Sequence, residues 1–138
     1  MIFYAFILIL FEAFRCYMAK KVLIVEDYED TRDLMKFLVE SYGYQVIEAA
    51  DGIEAVDKFK QLHPDLILMD ISLPMVDGLT ATKFIRQVSS AATVPIIAVT
   101  AFGKSYYKKA IEAGCNDLIP KPLDFDTLEP IINQYLAA

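Results

Sequence analysis

The run Leu66-Ile67-Leu68-Met69 constrains this chain more than any other stretch. Four apolar residues are too few for an independent helix, and the run follows His63-Pro64, a pair that stops one. The pattern is that of a central strand in a parallel sheet, apolar on both faces. Such a strand should carry no charge, yet it runs directly into Asp70. Open α/β sheets bind their ligands beyond the carboxyl ends of the strands. A carboxylate delivered there by a rigid strand is a candidate working group, and the plain alternative is a turn that Pro74 and Gly78 complete.

The remainder of the chain supplies the sheet that such a strand needs. Strand-like runs lie at Val22–Val25, Tyr44–Ala49, Ile96–Val99 and Asp117–Ile119. Between and after them come helical patterns marked by Leu34, Phe37 and Leu38, by Ala55, Val56, Phe59 and Leu62, and by Ala81, Phe84, Ile85 and Val88. A fourth helix is expected from about Ser105 to Ala113, closed by Gly114, and a fifth carries Leu128, Ile131, Ile132, Tyr135 and Leu136. Asp30 to Asp33 offers N-cap chemistry for the first of these helices, and Gly43 ends it. Five strands alternating with five helices predict an α/β fold, a parallel sheet covered on both faces.

Composition narrows the partners. The 138 residues suit one ordinary domain, and the formal net charge is -6 with no basic run. Nucleic acid is therefore not an expected partner. Two cysteines, Cys16 and Cys115, without a disulfide-scaffold composition suit a reducing, cytoplasmic setting.

Residues 1–17 stand apart as an apolar extension broken only by Glu12 before Arg15. As a helix, the stretch to Phe14 would reach roughly 21 Å against a hydrocarbon core of about 30 Å. A secretory signal would need a basic start and a small-residue cleavage site, and both are absent. A membrane is not the expected partner. Met18-Ala19-Lys20-Lys21 reads as a natural start for a domain spanning 18–138. The extension is then a misassigned start, an accessory helix docking on its own or another chain, or a marginal membrane anchor, and its loss leaves the net charge at -6.

The residues at the strand exits form a constellation: Glu26 and Asp27, Asp70, Thr100 and Lys121. These would meet at one end of the sheet. Two carboxylates about 4 Å apart repel by roughly 4 kcal/mol at an effective dielectric of about 20. Without a cation, one of the three acids would have to keep its proton. A hard divalent ion such as Mg²⁺ resolves the conflict and leaves a site poised for an anion. Asp70 could then attack phosphorus and become an acyl phosphate, with Thr100 and Lys121 pairing with the phosphoryl oxygens.

The chain from about Ala19 onward resembles the receiver domain of bacterial two-component response regulators. The motifs that carry the resemblance are Val22-Leu23-Ile24-Val25-Glu26-Asp27, Asp65 to Asp70 with Leu73-Pro74-Met75 and Asp77-Gly78, Val99-Thr100-Ala101, and Lys121-Pro122. The resemblance implies a flavodoxin-like, doubly wound sheet of order 2-1-3-4-5. It implies Asp70 as phosphoacceptor, with Glu26, Asp27, Asp70 and the backbone carbonyl of Ser72 around Mg²⁺. Thr100 matches the hydroxyl that moves toward the phosphoryl group, Ala101 leaves it room, and Lys121 matches the phosphate-binding lysine before a cis Pro122. Leu118 departs from the pattern, standing where the family often has a switching Tyr or Phe.

A stand-alone receiver is therefore expected, because no output domain follows. It would take its phosphoryl group from a histidine kinase or phosphotransfer protein and signal through the fourth helix, fifth strand and fifth helix. Tyr106, Tyr107, Lys108 and Lys109 belong either to that surface or to a solvated helix face. Phe102 is placed to shield the acyl phosphate from water. His63 is expected at the surface or in a cap, and Cys115 as a small buried filler. Two rivals remain: a receiver-like module that is never phosphorylated, and an aspartyl phosphatase of the haloacid-dehalogenase type. The second wants an acid two positions after Asp70, where this chain has Ser72.

Overall fold

In the computed structural model, residues 1–88 and 93–137 are described. The strands β1 (Lys21–Val25), β2 (Gln45–Ala49), β3 (Leu66–Asp70), β4 (Ile96–Thr100) and β5 (Asp117–Pro120) form one sheet of order β2-β1-β3-β4-β5. Every pairing is parallel. The helices are α1 (Ile2–Met18), α2 (Glu29–Ser41), α3 (Gly52–Leu62), α4 (Gly78–Arg86), α5 (Tyr107–Ala113) and α6 (Phe125–Leu136). The α/β architecture and strand order are those expected, with α1 added in front of the five helices of the domain.

The two-residue period of a strand explains the double winding. Ile67 and Met69 of β3 join a cluster that contains Ala55 and Phe59 of α3, Ala81 and Ile85 of α4, and Ala110 of α5. Leu66 and Leu68 point the other way, into a cluster with Met35 and Val39 of α2 and with Leu128, Ile132 and Leu136 of α6. The strand is thus fully buried on both faces.

Local details differ from the sequence expectation. The buried stripe of α2 is Met35 and Val39, while Leu34 and Phe37 are exposed. Two apolar stripes lie side by side on that helix, and packing against the sheet selects one. Its start is Tyr28, which makes no side-chain cap, and the acids Glu29 and Asp30 fill the first turn. The fourth expected helix opens as a 3₁₀ turn over Gly103–Tyr106 before α5 begins. Gly43, at φ 94°, and Gly114, at φ 111°, end α2 and α5 in the left-handed region as expected. His63 caps α3 at φ 47° and is exposed. Cys115 is buried.

No residue of α1 is buried, and among the described residues no helix is long and apolar enough to cross a membrane. Its link to the domain includes hydrogen bonding from Gln45 Nε2 to the Cys16 carbonyl.

Asp70 is fixed from behind by a glycine. A Cβ on Gly78 would lie 2.0 Å from the Asp70 carbonyl oxygen, so α4 can start this close to β3 only without a side chain. The Gly78 N–H also donates to the Ile71 carbonyl across 3.0 Å. Gly78→Ala should therefore cost about 1–3 kcal/mol or more through overpacking. Urea unfolding checks this: a clear drop in midpoint is expected, and a midpoint equal to wild type would contradict the close approach.

Candidate functional site

Each site residue stands at or just past the carboxyl end of a strand. Asp70 and Thr100 close β3 and β4, Glu26 follows β1, and Lys121 follows β5. Glu26 remains attached to the sheet because its N–H donates to the Ala49 carbonyl across 3.1 Å. Its side chain is buried, as are those of Asp70 and Thr100, whereas Asp27 is exposed at the rim. Register brings the third, fourth and fifth strands into line: Asp70 pairs with Val99, and the Lys121 N–H donates to the Thr100 carbonyl across 2.7 Å. The Lys121-Pro122 peptide is cis, as the resemblance implied.

The charged groups converge. Lys121 Nζ lies 2.9 Å from Glu26 Oε2 and 3.2 Å from Asp70 Oδ2. The other oxygen of Asp70, Oδ1, accepts from the Ser72 N–H across 2.9 Å. Carboxylate oxygens of Glu26, Asp27 and Asp70 all lie within 4.8 Å of one another. Glu26, Asp27, Asp70 and Lys121 thus form one cluster. Ser72 joins it through its N–H, and Thr100 through its carbonyl contact with Lys121. The Thr100 hydroxyl accepts from the Phe102 N–H across 3.0 Å. Leu118 packs, partly buried, against the cluster beneath α3 to α5.

Three acids and one lysine leave negative charge uncompensated, and two of the acids are buried. Burial, followed by the hydrogen bond and charge of Asp70, pushes the Glu26 carboxyl up to about 7 against the pull of Lys121. Burial pulls the Lys121 ammonium down, but contacts with Glu26 and Asp70 outweigh it and hold it above the ordinary lysine value. An acid whose folded pKa is raised favours folding most below its ordinary value of 4.5. That contribution is lost as pH rises through about 7. The pocket is therefore short of positive charge at neutral pH. Its hard oxygen donors, clustered within 4.8 Å, suit a small divalent cation such as Mg²⁺.

One neighbour has no counterpart in the sequence reading. Arg32, in the first turn of α2, donates from Nη1 to the Glu26 carbonyl across 2.9 Å. Its Nε stands 3.4 Å from Glu48 Oε1 on β2. Asp30 to Asp33 reads in sequence only as capping chemistry, and the sole local signal is a basic residue one turn into the helix that leaves the acidic pair.

Known proteins resemble this chain in sequence and in fold. The sequence model for the response regulator receiver domain matches residues 22–133. The polar-differentiation response regulator DivK of Brucella ovis is 42% identical over 120 residues, covering 86% of this chain and 98% of that one. Among solved structures, the receiver domain of sensor histidine kinase PA1611 from Pseudomonas aeruginosa superimposes with a TM-score of 0.81 at 35% identity. It covers 87% of this chain and 99% of that one, and holds a magnesium ion in its active-site cleft. Chemotaxis protein CheY4 of Vibrio cholerae gives a TM-score of 0.81 at 28% identity, covering 86% of this chain and 99% of that one. With its strand order, its strand-end acids and a family match over most of its length, the chain belongs to the response regulator receiver domains, which are signalling proteins.

Proposed function

We propose that this chain is a stand-alone receiver in which Asp70 accepts a phosphoryl group from a histidine kinase or a histidine phosphotransfer protein. The observation that carries this reading is Lys121 Nζ standing within hydrogen-bond reach of both Glu26 and Asp70. Glu26, Asp27, Asp70 and the Ser72 carbonyl would hold Mg²⁺. Bound there, Mg²⁺ supplies the positive charge that the three acids lack and that an incoming phosphoryl group requires.

The chain's own groups do the positioning. Asp70, fixed by the Ser72 N–H and by Gly78 behind it, presents a carboxylate oxygen to phosphorus. The new O–P bond forms as the P–N bond to the donor imidazole breaks, and the imidazole leaves with a proton from solvent. Lys121 then pairs with a phosphoryl oxygen. Thr100 turns its hydroxyl from the Phe102 N–H to another. The added charge of about -1.5 to -2 biases the surface formed by α5, β5 and α6, where a downstream protein binds. Residues 18–138 are the signalling unit, 1–17 are an accessory segment, and the protein works in the cytoplasm. A module that is never phosphorylated has no use for an intact acid pair, acceptor and lysine, so it is the weaker reading.

Incubation with acetyl phosphate and Mg²⁺ followed by intact mass tests the assignment. Wild type should gain one phosphoryl group and Asp70→Asn none; uptake by Asp70→Asn would overturn it. The Phe102 ring stacks on Tyr106, with centroids 4.9 Å apart, beside the loop that leaves Thr100. Phe102→Ala should hasten loss of the phosphoryl group several-fold by admitting water. An unchanged half-life would contradict the shielding role.

A further inference from the structure

Two of the three acids lie on the loop between β1 and α2, and a loop presents its side chains accurately only where something ties it down. Glu26 is tied at both of its backbone polar groups. Its N–H is held by Ala49 of β2, and its carbonyl is held by Arg32 Nη1. The same guanidinium is braced on Glu48 of β2, and the Arg32 side chain is only 17% exposed. Glu48 is itself gripped from two sides. Lys36 Nζ lies 3.3 Å from its Oε2, and Lys58 Nζ donates to its carbonyl across 2.6 Å. The acid loop is thus latched to α2 and β2 through one planar group.

We propose that Arg32 is a positioning residue for the cation site: by holding the Glu26 carbonyl, it sets the direction in which Glu26 and Asp27 present their carboxylates to Asp70. This inference rests on the reading that these acids hold Mg²⁺. The sign of the effect separates it from a bystander role. A positive charge beside an acidic pocket repels Mg²⁺, so a guanidinium acting through charge alone would weaken binding, and its removal would tighten it. A guanidinium acting as a latch does the reverse. Outer-layer hydrogen bonds that orient metal ligands are worth about 10–100-fold in affinity. Glu48, 3.4 Å from Arg32 Nε, offsets the guanidinium charge that the pocket would otherwise feel. The latch therefore wins.

Calorimetric titration of Mg²⁺ into the full chain, at neutral pH and physiological salt, reads the effect directly. Arg32→Gln should raise the Mg²⁺ Kd about tenfold or more. Arg32→Lys keeps the charge but loses the fork that reaches the Glu26 carbonyl and Glu48 together, and it should not restore affinity. Should Arg32→Gln not fold, Arg32→Lys carries the test, because a role through charge alone predicts a wild-type Kd for it. A Kd unchanged or lower in Arg32→Gln, or full rescue by Arg32→Lys, overturns the proposal even if thermal stability falls. Failure of the wild-type protein to bind Mg²⁺ would instead overturn the cation-site reading itself.

Discussion

Lys121 holds two buried carboxylates, Glu26 and Asp70, that would otherwise repel each other, and the site depends on that bridge. Burial and the neighbouring Asp70 outweigh the lysine, so Glu26 retains affinity for a proton near neutral pH. This incomplete compensation gives the pocket its chemistry. Full compensation would leave a structural ion pair with no reason to take up a cation or a phosphoryl group. Breaking the bridge from the lysine side would leave the acids buried and unpaired, a strongly destabilising arrangement.

The sheet makes the bridge possible. Residues as distant in sequence as Glu26, Asp70 and Lys121 meet because parallel strands all point their carboxyl ends the same way, and β1, β3, β4 and β5 are consecutive neighbours. The order of strands places β3 at the centre of the sheet, buried on both faces, so Asp70 rides on the most rigid element of the fold. Close packing carries that rigidity to the site, because the start of α4 approaches the Asp70 backbone to a distance that only glycine permits. The site is therefore preorganised by the buried strand and by close packing against the Asp70 backbone.

The strands are legible in sequence because short β-branched and leucine-rich runs, bounded by Pro, Gly and acids, have few alternatives. The site follows from them, since its members stand one step past the apolar runs: Glu26 after Val25, Asp70 after Met69, Thr100 after Val99. Helix faces are less legible. On α2 the sequence offers Leu34 and Phe37 beside Met35 and Val39, and only contact with the sheet decides between them. Arg32 is illegible for a different reason. Its partners are a backbone carbonyl and a glutamate on β2, and neither leaves a local pattern. The need for glycine at position 78 has the same character, because the obstacle is the Asp70 carbonyl eight residues away.

The titration of the Glu26 carboxyl carbon, followed by NMR with and without Mg²⁺, tests most directly that acids from different strands share one undercompensated pocket. A midpoint near 7 is expected in the metal-free protein, with a marked fall when Mg²⁺ is added. A metal-free midpoint at the ordinary 4.5, unmoved by Mg²⁺, would contradict it.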